Sequence, residues 1–272
     1  MRIEFKIASK SYSVDLSKPL DISIPLMFDG EQPNTYGVPR ATAQVYEDEN
    51  FIGDTRRGGS CNFEEYKLIP HCNGTHTECV GHISLERISI GSVLRDDFIP
   101  VSLVTVNPVS ARETTDSYIP TKNDDDTLIT AKSLSAALSQ TSKEFLTGLI
   151  LRTLPNDRSK LSRNYLEHPP PYFSVEAMQY LVELGVQHLL VDMPSVDRAF
   201  DEGKLTAHHI FWNVPYESHD VDRNHCSPNT ITEMIFVSEE LEDGSYLLNL
   251  QIPNFVADAA PGRPLIYAVE TG

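Results

Sequence analysis

The stretch from Gly148 to Val191 limits the architectures open to this chain. Gly148 to Thr153 (GLILRT) is a short apolar run without polar alternation, the pattern of a strand buried on both faces. Downstream, Ser174 is of the N-cap type, and Val175, Met178, Leu181 and Val182 recur at a spacing that places them on one helical face. Gly185 supplies a stop, and His188 to Val191 reads as a second short strand, turned by Asp192-Met193-Pro194. Strand, helix and strand in that order argue for an α/β fold class.

The remaining elements are mostly strands. Residues 1 to 26 read as two, the first carrying Ile3, Phe5 and Ile7 at period two. Residues 27 to 60 are rich in Gly, Pro, Asn and charge and read as one long irregular segment. Residues 63 to 70 read as a strand ending at Pro70, and Val101 to Val106 as another buried strand. Residues 131 to 144 have helical character. Tyr246 to Ile252 follows the Asp243-Gly244 turn, and Leu265 to Val269 follows Pro261-Gly262. Asp124-Asp125-Asp126 and Pro169-Pro170-Pro171 read as loops. Many strands and few helices imply an extensive mixed sheet. With no repeat and no strong linker, residues 1 to 272 are expected to form one domain.

Charge narrows the partners. The chain has 39 acidic and 22 basic residues, and 39 − 22 gives a formal charge of −17. That argues against nucleic acid and against anionic membrane surfaces as partners. No segment reaches the ~20 apolar residues that span a bilayer. The N-terminal residues alternate apolar and polar and lack the apolar core of a secretion signal. The four cysteines, Cys61, Cys72, Cys79 and Cys226, form no dense framework, and a reducing cytoplasm is the expected location.

Chemistry concentrates at residues 71 to 82, HCNGTHTECVGH, which hold three of the nine histidines. Imidazole nitrogen and carboxylate oxygen are ligands that suit zinc, manganese and iron. His76 and Glu78 are two apart, so an extended backbone sends both side chains from one face toward one ion. His82, four residues further on, can reach a water held there. A zinc knuckle from Cys72, His76, Cys79 and His82 matches no established spacing.

GTHTECVGH resembles the signature HxGTHxDxPxH of the metal-dependent cyclase family, which includes bacterial kynurenine formamidases and isatin hydrolases. Further matches follow in the family's order. Asp21-Ile22-Ser23-Ile24-Pro25-Leu26 resembles its DxSxPL. Gly53-Asp54-Thr55 and Ser60-Cys61-Asn62 resemble its GDxP and SxN. Tyr172 through Asp197 resembles the stretch ending GIDxPSxD, and Ala207-His208-His209 its AHH. Asp243 through Arg263 resembles its C-terminal EGxYxLxxLPL and PxR stretches. The resemblance implies a swivelling β/β/α fold, a central mixed β-barrel-like sheet with helices outside, assembled as a homodimer or higher homo-oligomer.

It also implies a site holding one or two divalent ions, zinc or manganese. His76, Glu78, His208 and Glu233 match ligands, and His82 matches the acid–base histidine. Where the family's first histidine stands, this chain has Cys72, with His71 one residue earlier, so either is the first ligand; His71 is preferred because it follows proline, as in the family. Glu78 replaces aspartate and Val80 replaces proline. The interval from His208 to Glu233 is lengthened by a segment carrying His219, His225 and Cys226, which leaves Glu239 and Glu240 as rivals to Glu233, and His209 can trade roles with His208. The implied activity is hydrolysis of an amide, formamide or lactam. The alternative is a non-catalytic protein of this fold that binds a metal or small ligand. Thr75 is expected to orient the loop and Cys79 to pack. Asp192 and Asp197 are expected to serve turn chemistry and helix capping. Arg56-Arg57 either meets an acidic substrate group or is solvated.

Overall fold

The computed structural model describes residues 1–271. Its centre is a nine-stranded mixed sheet. In chain order the strands are β1 (Leu20–Asp21), β2 (His76–Cys79), β3 (Ile99–Val106), β4 (Gly148–Thr153), β5 (His188–Val191), β6 (Thr230–Glu233), β7 (Gly244–Asn249), β8 (Ala259–Pro261) and β9 (Leu265–Ala268). Their spatial order is β8-β2-β6-β5-β4-β3-β7-β9-β1. The four central strands, β3 to β6, are mutually parallel, and antiparallel strands flank them.

Three helices, α1 (Ala131–Ala137), α2 (Val175–Glu183) and α3 (Thr206–Phe211), pack on one face. β4 shows why its sequence is apolar from Leu149 to Leu151. Leu149 and Leu151 join Val104, Leu189, Ile231 and the helix residues Leu134, Met178 and Leu181 in one core. Ile150, between them, faces a second core with Val101, Leu103, Leu190, Leu248 and Ile266. Both faces are buried, so no polar alternation is tolerated.

The sheet curls into a half-barrel, the form expected of the barrel-like centre. β1 lies at one end of the strand order, yet the residues after it touch the continuation of β6. Ser23 bridges Ile235, and the Phe236 amide donates to the Ile22 carbonyl at 2.8 Å. Thr75 ties this seam to the histidine segment: its hydroxyl accepts from the Ile24 amide at 2.8 Å and donates to the Met234 carbonyl. Thr75 thus orients the loop, as expected. Thr75→Val removes both partners at a buried position and should cost about 1–3 kcal/mol, read by urea denaturation.

Several boundaries differ from the sequence reading. The helix expected over 131 to 144 stops at Ala137 and gives way to 3-10 turns at Leu138–Gln140 and Lys143–Phe145. Val182 is not on the buried face of α2: it is exposed, and Ala177 takes its place beside Met178 and Leu181. Residues 27 to 60 are not wholly irregular, because Thr42–Val45 pairs antiparallel with Glu64–Lys67. That second strand is shorter than 63 to 70, and Pro70 opens a one-turn helix, Pro70–Asn73, where its missing N–H costs nothing. All four cysteines are free. Among the described residues, no helix is long and apolar enough to cross a membrane.

Candidate metal centre

β2 and β6 build the floor of the site. Their antiparallel register sets His76 opposite Glu233 and Glu78 opposite Ile231. Side chains two apart leave a strand on the same face, so His76, Glu78 and Glu233 converge, all three buried. α3 covers this face and brings His208 down onto it. The one-turn helix before β2 contributes His71, and the turn after it contributes His82.

These six residues face one another closely. His208 Nε2 is 2.9 Å from Glu78 Oε1 and 3.8 Å from Glu233 Oε1. His76 Nε2 is 3.4 Å from Glu233 Oε2. On the outer side, His71 Nε2 and His82 Nδ1 lie 3.5 Å and 3.8 Å from Glu78 Oε2. Glu233 lies within this group, whereas Glu239 and Glu240 are exposed. His208 faces Glu78, whereas the His209 ring turns away, its Nδ1 3.4 Å from the Val214 carbonyl.

Of the two candidates for the first ligand, the structure turns the His71 nitrogen toward Glu78. The Cys72 thiol is buried and held as a thiol, its pKa pushed up to about 11 by burial and by Glu233. Cys79 is buried in the helix-side core. Arg56 and Arg57 pair with Asp54 and Glu47 on the surface, and His225 is exposed and pairs with Asp222. Asp192 is structural, accepting from Lys160 Nζ at 2.7 Å and from the Thr153 amide and hydroxyl.

Three residues were not signalled by the sequence. Asp258 Oδ2 lies 3.1 Å from His71 Nε2 and 3.3 Å from His82 Nδ1. Trp212 is buried with its ring 5.0 Å from that of His208, closing the helix side. Tyr36 has a left-handed backbone, φ 56°, and its hydroxyl faces Ser195 within the field of Glu233 and Asp197. Non-glycine residues rarely adopt that conformation, and such strain gathers at functional sites.

Asp197 both caps and orients. α3 begins after Leu205, which provides no side-chain cap. Asp197 instead accepts from the Ala207 and His208 amides at 2.6 and 3.1 Å, and from His208 Nδ1 at 2.6 Å. Capping was expected; the grip on the imidazole was not. Outer carboxylates of this kind set the tautomer and orientation of a ligating histidine. Asp197→Asn should weaken divalent-ion affinity about 10- to 100-fold, measured by competition with a chromogenic chelator.

The electrostatics are those of a cation site. Glu78 and Glu233 are two buried carboxylates side by side. Burial and the Glu78 charge raise the Glu233 pKa. Burial works against ionisation of Glu78 as well, yet His82, His208 and His71 bring its pKa below the ordinary range. Burial likewise opposes a charged His208, but Asp197 and Glu78 offset it and lift the pKa well above the usual value. His76 Nδ1 donates to the Gly74 carbonyl at 3.0 Å, which leaves Nε2 as the lone-pair nitrogen. That atom is fully buried and accepts no hydrogen bond. A buried nitrogen without a partner is costly, and here it points among two carboxylates and a second imidazole. A divalent cation satisfies this donor set: neutral imidazoles and carboxylates are its preferred ligands, and its charge offsets theirs.

No curated protein matches this chain. Among solved structures, isatin hydrolase A from Labrenzia aggregata is similar with a TM-score of 0.61 and 13% identity, covering 93% of this chain and 94% of that one. A structure described as a "predicted metal-dependent hydrolase from Bacillus stearothermophilus" has a TM-score of 0.58 and 15% identity, covering 92% and 98%. One described as a "novel cyclase" has a TM-score of 0.59 and 12% identity, covering 94% and 90%. At these identities the likeness concerns the fold. The family model described as "Putative cyclase" matches residues 14–198, more than half of the sequence, and the chain belongs to that cyclase family.

Proposed function

We propose that this protein is a metal-dependent hydrolase of a carbon–nitrogen bond, amide, formamide or lactam, in a small molecule. The observation that carries the reading is the unpartnered, fully buried His76 Nε2 facing Glu233, Glu78 and His208. The fold shared with structures named metal-dependent hydrolase and isatin hydrolase supports it. His76, Glu78, His208 and Glu233 would hold one or two divalent ions, zinc or manganese, with His71 approaching Glu78 from the outer side. When bound, such an ion supplies Lewis-acid polarisation of a carbonyl and lowers the pKa of water toward neutrality.

The chain's own residues do the rest. His82 faces Glu78 and is partly exposed, so it can exchange protons with solvent and substrate. It accepts a proton from the attacking water and returns one to the leaving nitrogen, as general base and then general acid. Asp197 holds His208 in place, and Trp212 keeps bulk water from the α3 side. The test is metal analysis of the purified protein, then assay of the zinc- and manganese-loaded forms against a panel of formamides, aryl amides and lactams. Hydrolysis dependent on the ion is the expected result. A protein that holds an ion yet turns over none of the panel is instead a binding protein of the cyclase fold. One that binds neither ion overturns the reading.

A further inference from the structure

Asp258 is placed by the sheet rather than by a loose loop. The Cys79 amide donates to its carbonyl at 3.1 Å, and the next residue, Ala259, opens β8 opposite Glu78. Gly81 lets the turn after β2 pass close by: a Cβ there would sit 2.0 Å from the Ile88 carbonyl oxygen and 3.2 Å from the Asp258 Cβ. The Asp258 carboxylate therefore stands at a fixed height above the buried floor, on its solvent side.

One oxygen, Oδ2, meets two imidazoles there, His71 Nε2 at 3.1 Å and His82 Nδ1 at 3.3 Å. The two rings lie stacked, centroids 4.5 Å apart and 28° from parallel. This outer layer of two histidines and one carboxylate is partly exposed, whereas His76, Glu78 and Glu233 below it are buried. An ionised carboxylate only accepts hydrogen bonds. In a hydrogen bond to it, His82 Nδ1 is the donor, which leaves Nε2 as the basic nitrogen. Free imidazole has no such constraint and rotates.

We infer that Asp258 is a positioning residue that fixes His82 in the Nδ1–H tautomer and, through the same oxygen, aligns it against His71. The inference rests on the reading of His82 as the proton carrier, but its first readout does not need activity.

That readout is the histidine tautomer in zinc-loaded protein labelled with 15N-histidine, from long-range 1H–15N correlation spectra, with His82→Gln to assign the signals. The wild type should show His82 with Nδ1 protonated, and Asp258→Ala should move it to the Nε2–H form or to a mixture. An unchanged tautomer in Asp258→Ala, or a wild-type His82 already protonated on Nε2, overturns the inference, whether or not the protein hydrolyses amides. Asp258→Asn, which keeps the volume, guards against a folding defect and should shift the tautomer in the same direction. The kinetic arm should show kcat reduced about 10- to 100-fold in both variants, with KM and zinc content within about twofold of wild type. Added formate should restore part of the Asp258→Ala rate, which a purely structural residue would not allow. A kcat equal to wild type also overturns it. A zinc-loaded wild type with the Nδ1–H tautomer but no hydrolysis supports the role of Asp258 and counts against the hydrolase reading alone.

Discussion

Glu78→Gln should yield a folded protein that retains no divalent ion and hydrolyses amides at least ~10³-fold more slowly. Three imidazoles of the site face Glu78: His208 at 2.9 Å, His71 at 3.5 Å and His82 at 3.8 Å. Glutamine has nearly the same shape but one neutral oxygen and an NH2 group that repels a cation. The Lewis-acid contribution of a bound ion is several kcal/mol, and at ~1.4 kcal/mol per tenfold that is a loss of about three orders of magnitude. Stability gives an independent readout. An ion that binds only the folded state, present at about 100 times its Kd, stabilises by ~2.7 kcal/mol. Wild-type protein should therefore melt higher with added zinc or manganese, and Glu78→Gln should show no such rise. A variant that still holds one ion per chain would show that Glu78 is not the shared ligand.

What the sequence made legible follows from what is encoded locally. GLILRT and HLLV read as buried strands because Leu149–Leu151 and Leu189–Val191 are unbroken apolar runs, as a segment covered on both faces requires. The histidine segment stood out because so many of the nine histidines fall within it. The spacing of His76 and Glu78 gave their shared face directly, since period two belongs to the strand itself. Glu233 was harder. The long interval after His208 offers Glu239 and Glu240 as well, and it is the β2–β6 register, which is not encoded locally, that sets Glu233 against His76.

Asp258 carried no signal because its place depends on β8 pairing with β2 across about 180 residues of chain, and nothing in VADAAPGRP announces that pairing. Asp197 was readable as a cap but not as the partner of His208, for the same reason. The end of α1 is not marked by periodicity: the Ser139 hydroxyl donates to the Ala136 carbonyl at 2.8 Å and Thr141 is already extended, so the helix does not continue to 144. Val182 was misplaced because the face that α2 buries is chosen by its packing against α1 and α3, and periodicity alone left it within the apolar arc.

His82→Ala should separate proton transfer from metal binding. The four residues proposed to grip the ion from below, His76, Glu78, His208 and Glu233, all remain, so ion content should stay within about twofold of wild type. A positioned general acid–base contributes 10²–10⁴ in rate, and kcat should fall by about that factor while KM changes little. The contrast with Glu78→Gln is the informative part, because that change removes both the ion and the rate. The alternative is that His82, 3.3 Å from Asp258 and 3.8 Å from Glu78, is itself a ligand. Then His82→Ala would lose ion and rate together, and external imidazole would restore both. Under the acid–base role, imidazole restores rate without changing the ion content. Measured side by side, ion stoichiometry and kcat for the two variants assign His82 to the proton or to the metal.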